Sequence, residues 1–405
     1  MNIKRLFLGL ELFAICFGAT VLVPLLTNIP TSVVLFTAGV ATLIMHYFCK
    51  GKYGAPIIFL GSSFAYIAPI LYVQKTWDMG SVFFALGVAG LMKVIFSRII
   101  KYFGSELIAK KLFPPVIFGT MITLIGLTLV NTGLDMASSN WTLALITLAV
   151  AGILMVFTKG IPNLFSVLIA VGVGYIAALF MGEVTFNTLP VLRWPEFSIP
   201  RVNWAAALYM IPFALAPTME HFGDIFAISE ATGNQYYKSP GIHRTMLIDG
   251  IGTMLSFFGS VPNTTYSEGV SAVNILKIKD DKVARNAGIW ALIFSFIGLL
   301  SAFLQSIPTA VIGGVMVILF GSIATIGLKS FVREKVDFGK SRNILIAALM
   351  FVFGLGDVSL WRFEGVGLAA LIGLSLQIIF LIYDSVVEEK KVNSEIKTDV
   401  YLEKA

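Results

Sequence analysis

Long apolar runs alternate with short polar connections from one end of the chain to the other. Fourteen runs can be drawn, at 6–26, 33–49, 55–73, 80–98, 113–133, 141–158, 162–182, 204–231, 243–260, 262–276, 284–304, 308–328, 342–357 and 363–384. A helix needs about 20 residues to cross a hydrocarbon core about 30 Å thick. Inside that core every backbone N–H and C=O has to be satisfied within its own segment. The pattern therefore predicts an all-α integral membrane protein of fourteen transmembrane segments. Some runs are short or broken by Gly and Pro. From Glu388 onward the tail, with Glu389, Lys390, Lys391 and Glu395, is charged and expected to be solvated.

Composition points the same way. Of 405 residues, 57% are hydrophobic and 13% charged, with a mean hydropathy of +0.88; soluble domains carry about 25% charged residues. The net charge of +6 implies no nucleic-acid partner, because the basic residues gather at one membrane face. With these spans, one set of loops holds Lys4, Arg5, Lys50, Lys52, Arg98, Lys101, Lys110, Lys111, Lys159, Lys238 and Arg244, and continues from Lys277 to Arg342. The opposite set holds only Lys75, Arg193, Arg201 and Arg362. Lys and Arg are retained on the cytoplasmic side, so an even number of spans with both termini cytoplasmic is expected, in the cell inner (plasma) membrane. Met1 to Arg5 followed by apolar sequence resembles a signal peptide. The run continues to Leu26 without a small-residue cleavage site, however, and reads as the first span. Cys16 and Cys49 fall in or at the ends of apolar runs and imply no disulfide or metal framework.

Internal symmetry shows as paired segments. Residues 57–66 after Pro56 (IIFLGSSFAY) have a counterpart at 263–269 after Pro262 (NTTYSEG), both rich in Ser, Thr and Gly. Pro115 and Pro308 open a second matched pair, each about 50 residues further on. Seven spans per half is odd, so the second half enters the membrane upside down. Interlocking inverted halves bring their broken spans together near the midplane.

Ionisable side chains inside spans carry the most information, since each is costly and is kept mainly where it faces a cavity or a partner. Glu220 and Asp224, in Ala216-Pro-Thr-Met-Glu-His-Phe-Gly-Asp, are four apart and share a helix face. Two such carboxylates in a low dielectric resist ionising together, so the pair is able to hold a proton at neutral pH. Glu268 lies in the broken tenth span. Carboxylates accept ring N–H groups, and the unwound stretches around Phe64 and Ser267 offer main-chain N–H donors at half-helix starts. Glu11 is expected at the interface. Lys93 is expected to snorkel to the inside face beside Arg98, with partnership to a core carboxylate as the alternative. His46, His221 and His243 form no metal-ligand cluster. His221 points about 100° away from Glu220 on the helix, which makes packing as good an assignment as proton transfer. Asp249 and Asp357 carry no assignment.

Five stretches together resemble a known family: Phe-Gly-Ala-Thr-Val-Leu-Val-Pro at 17–24, Gly-Ser-Ser-Phe-Ala-Tyr at 61–66, Glu-His-Phe-Gly-Asp at 220–224, Pro-Gly-Ile-His-Arg-Thr at 240–245 and Pro-Asn-Thr-Thr-Tyr-Ser-Glu at 262–268. They look like the nucleobase–cation symporter-2 (nucleobase/ascorbate transporter) group, above all its bacterial uracil permeases. The resemblance implies two inverted seven-span repeats, with short β-strands in spans 3 and 10. It divides the chain into a core domain (1–103 and 204–305), a gate domain (104–203 and 306–387) and a cytoplasmic tail (388–405). It implies a homodimer through the gate domains, membrane lipid and a small-molecule nucleobase as partners, and no cofactor beyond a coupling proton. By position, Glu220 and Glu268 would accept the base's N–H groups, and the main chain at Phe64 and Ser267 would donate to its carbonyls, with Tyr266 beside them. Asp224 would be the proton-coupling residue, alongside Glu220 and Glu268. Departures from the family pattern are Glu11-Leu12 in span 1, Ser267 and Gly269 on either side of Glu268, and Ser271 and Leu276 beyond it.

Uracil is thus the expected substrate, with a purine or xanthine-type base as the alternative. Sulfate and bicarbonate carriers share this architecture, but three carboxylates make a poor anion site. An enzyme would need a nucleophile with a base, a metal cluster or a cofactor loop, and the sequence has none of them; Ser62 and Ser63 lack an adjacent His.

Overall fold

The computed structural model describes residues 3–104, 114–186, 189–265, 267–356, 358–360 and 363–402, and of Ser267, Glu268 and residues 387–402 the backbone alone. The first half contains α1 (Ile3–Thr27), α2 (Thr31–Phe48), β1 (Gly61–Ser62), α3 (Ile67–Thr76), α4 (Met79–Phe103), α5 (Pro115–Thr128), α6 (Val130–Ser138), α7 (Trp141–Phe157) and α8 (Ser166–Phe180). The second contains α9 (Trp204–Met210), α10 (Leu215–Thr232), α11 (Ile242–Met254), β2 (Asn263–Thr264), α12 (Ser267–Ile275), α13 (Lys282–Ser295) and α14 (Gly298–Gln305). It ends with α15 (Thr309–Arg333), α16 (Ser341–Leu355), the hairpin β3 (Ser359–Leu360) and β4 (Phe363–Glu364), and α17 (Gly365–Leu402).

Among the described residues six helices are long and apolar enough to cross a bilayer: α1, α2, α4, the joined α5–α6, α15 and α17 as far as Val386. Three more, α7, α8 and α16, are apolar but shorter. Two further expected spans are divided helices. At 204–231 a 3-10 turn, Ile211–Ala214, separates α9 from α10, where Pro212 has no N–H to continue the helical ladder. At 284–304 the break falls between α13 and α14, because the loop after Pro190 docks there: Arg193 N–H donates to Phe296 O at 2.9 Å and Gly298 N–H to Val191 O at 3.0 Å.

Local chemistry sets several ends. Asp78 caps α4, its Oδ1 accepting from Ser81 N–H at 2.7 Å; Asn140 and Asn203 cap α7 and α9 in the same way. Gly104 (φ +86°) ends α4 and Gly233 (φ +77°) ends α10, in the positive-φ region that glycine enters at no steric cost.

α4 packs along α11, and α13 lies against α1 and α2. α15 packs on α5, α6 and α7, while α16 lies against α17. Lipid tails are as apolar as side chains, so helix association in a bilayer depends on close approach at small residues. A Cβ on Gly90 would stand 2.5 Å from Met254 N on α11. One on Gly126 would stand 2.4 Å from Ala324 N and 2.5 Å from Phe320 O on α15.

Candidate functional site

Two interrupted segments meet in the interior. β1 pairs antiparallel with β2, Gly61 opposite Thr264 and Ser62 opposite Asn263, and Ser63 N–H extends the pairing to Pro262 O at 3.1 Å. Backbone that is not helical is tolerated at membrane depth only when buried in protein with its polar groups satisfied. Hydroxyl side chains of α2 help to supply those partners. Leu60 N–H donates to Thr42 Oγ1 at 2.9 Å, and the Asn263 side-chain amide donates to Thr37 Oγ1 at 2.9 Å. From the strand side, the Ser62 hydroxyl donates to Thr20 O on α1 at 2.7 Å. β1 then enters the 3-10 turn Phe64–Tyr66 and α3, while β2 leads to α12.

A cavity of about 450 Å³ lies against this junction, within the range of small-molecule sites. Ser62, Ser63, Phe64 and Ala65 line it from the first interrupted segment, and Ala216, Glu220, Gly223 and Asp224 from α10. Val270 and Ser271 of α12 complete that side. The rest of the lining is Phe118, Ile122 and Ile125 of α5, with Ile323, Ile326, Lys329, Ser330 and Arg333 of α15. Two carboxylates beside the apolar side chains of α5 suit a flat ring that presents N–H groups at its edge, while Lys329 and Arg333 add cations at the α15 border.

The structure brings Glu220, Asp224 and Phe64 to this cavity, Asp224 only 3% exposed and Glu220 half-buried. Ser267 and Glu268 occupy the first two positions of α12, with Gly269 between them and Val270 of the lining; nothing is described of their side chains. Tyr266 and Asp357 lie outside the described residues. Glu11 is exposed on α1. Among the described residues no group of three His, Cys, Asp or Glu side chains is placed to hold a metal ion. Lys329 and Arg333, both exposed, lie on the last turns of α15, not in the loop beyond it, and border the cavity.

Lys93 does not snorkel. It is 1% exposed, and its Nζ forms an ion pair with Asp249 Oδ2 of α11. The other carboxylate oxygen, Oδ1, accepts from Thr265 N–H at 2.9 Å and lies 3.6 Å from His221 Nδ1. His221 also meets the Thr265 hydroxyl through Nδ1 at 3.2 Å and the Thr245 hydroxyl through Nε2 at 2.9 Å. His221, Thr245, Asp249 and Thr265 are all 0% exposed. Removing one partner from a buried ion pair typically costs about 3–5 kcal/mol, because it strands the other charge. The sequence offered only the presence of opposite charges within spans 4 and 9, Lys93 and Asp249, with nothing to pair them.

Comparison with known proteins fits this arrangement. A model described as a permease family matches residues 3–362. A probable uracil permease of Haemophilus influenzae is 39% identical over 397 residues, covering 93% of this chain and 94% of that protein. The uracil permease of Escherichia coli K12 is 34% identical over 395 residues, covering 91% and 89%. Among solved structures, the transmembrane domain of the cyanobacterial bicarbonate transporter BicA aligns with TM-score 0.62 at 15% identity, over 93% of this chain and 98% of that one. SLC26A9 aligns with TM-score 0.70 at 14% identity, over 94% of this chain; the chain spans 65% of its length. At such identities these two structures establish a shared fold alone. With several bilayer-length helices, a family model covering most of its length and close relatives matched nearly end to end, this chain is a multi-pass membrane transport protein, not an enzyme, and belongs to the permease family of nucleobase–cation symporters.

Proposed function

We propose that this permease imports a nucleobase, uracil first among them, together with protons. The reading is carried by the placement of Glu220 and Asp224 on the wall of one cavity beside two paired, interrupted segments. It is supported by relatives named uracil permeases along almost the whole chain. Glu220 accepts a ring N–H of the base, Glu268 a second, and main-chain N–H groups at Phe64 and Ser267 donate to its carbonyls, with Tyr266 beside them. Charge-assisted bonds of this kind are short and directional, so a carboxylate selects a ring edge that presents donors. The apolar wall of Phe118, Ile122 and Ile125 covers the ring face.

Asp224 carries the coupling proton. It stands one turn from Glu220 in a site of low dielectric, where two carboxylates resist being ionised together. Base binding at Glu220 and proton binding at Asp224 are thus favoured jointly, and release is joint as well. Fourteen segments in two inverted repeats form a core (1–103 and 204–305) that moves against a gate (104–203 and 306–387), carrying the site from one membrane face to the other. Both termini are cytoplasmic, the tail 388–405 included, and the gates pair in a homodimer.

The test is an uptake panel in proteoliposomes with an imposed pH gradient, in which uracil, thymine, xanthine, urate, hypoxanthine, adenine and sulfate are each offered in labelled form. Accumulation of uracil that collapses when the gradient is dissipated is the expected result. Accumulation of xanthine or urate but not uracil would move the assignment to purine bases. Accumulation of sulfate alone would replace it with an anion carrier, whose cations would be Lys329 and Arg333.

A further inference from the structure

We infer that Lys93 is a positioning residue for the substrate site, acting through Asp249 to hold the main chain that leads into α12. The inference rests on the functional reading above for its affinity arm, and on geometry alone for the rest. Lys93 and Asp249 are absent from the cavity lining, so neither meets the substrate. Their ion pair nevertheless ends on the site. Asp249 Oδ1 takes the amide of Thr265, the residue after β2 and three before Glu268. The same carboxylate faces His221, which adjoins Glu220. One buried carboxylate therefore holds the segment leading to Ser267 and Glu268 and lies against the helix carrying Glu220 and Asp224, and α4 supplies its counter-charge.

Besides Lys93, the groups facing Asp249 are His221, a cation only when protonated, and the buried Tyr66 phenol, so Lys93 is its permanent counter-charge. Thr245 and Thr265 contribute hydroxyls, and α5, packed on α10, carries no titratable side chain. Glu220 and Asp224 face the cavity, and Arg244, on the first turn of α11, is exposed. A buried carboxylate without a counter-charge takes up a proton or draws in water. Either change weakens its hold on Thr265 and loosens the start of α12.

The experiment compares the purified full chain with Lys93→Met, Lys93→Met/Asp249→Asn and Lys93→Met/Asp249→Leu. It reads hydrogen–deuterium exchange of peptides containing Thr265 together with uracil binding. Asn keeps an acceptor oxygen for the Thr265 amide without a charge; Leu keeps neither. Exchange at Thr265 should rise about tenfold or more in Lys93→Met, return toward wild type in the Asn double variant, and stay raised in the Leu double variant, with uracil affinity falling and recovering in the same order. Peptides of α15 should exchange as in wild type throughout, which a general loss of packing would not allow. Wild-type exchange at Thr265 in both Lys93→Met and the Leu double variant would overturn the inference. If Lys93→Met fails to reach the membrane, the two double variants decide the matter, since neither strands a buried charge. If wild type does not bind uracil, the substrate assignment fails, while the exchange order still tests the clamp.

Discussion

Replacing Glu220 with Gln isolates the charge of one carboxylate while keeping its length and shape. Glu220 is half-buried on the cavity wall, so the change creates no void and exposes no new core. What it removes is a charge-assisted acceptor, and it introduces an N–H donor where the base presents its own donor. Hydrogen bonds to charged groups contribute about 1.5–3 kcal/mol, which at about 1.4 kcal/mol per decade is a 10- to 150-fold loss of affinity. Uracil binding to detergent-purified protein, by isothermal calorimetry or scintillation proximity, measures the loss directly. Thermal unfolding of the same preparations checks that the fold is intact, since a substitution away from core packing changes stability by about 0.5 kcal/mol or less. Uracil affinity within about twofold of wild type at unchanged stability would refute the assignment of Glu220 as a ring N–H acceptor.

Asp224→Asn should keep counterflow exchange of uracil across proteoliposomes while losing accumulation driven by a pH gradient; gradient-driven accumulation at wild-type levels would place the proton elsewhere. Gly126→Leu should separate α5 from α15 and destabilise the protein by about 1–3 kcal/mol or more, read as a lower unfolding temperature, because even a Cβ there stands 2.4 Å from Ala324 N. Asp78→Ala should cost about 1 kcal/mol at neutral pH through loss of the α4 cap. The amide of Ser81 holds the Asp78 carboxyl below its ordinary range, helped by Arg201. That stabilisation is full above the ordinary carboxylate value and disappears as pH falls through the lowered one. The gap in unfolding temperature between variant and wild type should therefore close in acid, and a gap that persisted there would contradict the capping account.

The membrane class was legible from the apolar runs because lipid admits so few backbone solutions. The shared face of Glu220 and Asp224 was equally legible, since four residues make about one helical turn whatever surrounds them. The placement of Phe64 on a broken segment followed from Gly61, Ser62 and Ser63 after Pro56. The partner of Lys93 was not legible, for the opposite reason. The distance of Lys93 from Arg98 along α4 favoured snorkelling, but its partner sits 156 positions away on α11, and periodicity within one helix is silent about its neighbour. Lys329 and Arg333 likewise owe their place at the cavity border to the position of α15.

The division of 284–304 shows the same boundary from the side of the backbone. Nothing in Phe296-Ile297-Gly298 forces a break as Pro212 does; the loop at 190–193 imposes it by taking the main-chain groups of Phe296 and Gly298. What the sequence by itself determined was what each segment needs: a bilayer around it, a break at a proline, a carboxylate pair on one face. Which distant segment meets each need was decided only in three dimensions, because ion pairs, strand pairing and loop docking join groups whose separation along the chain carries no periodic signal.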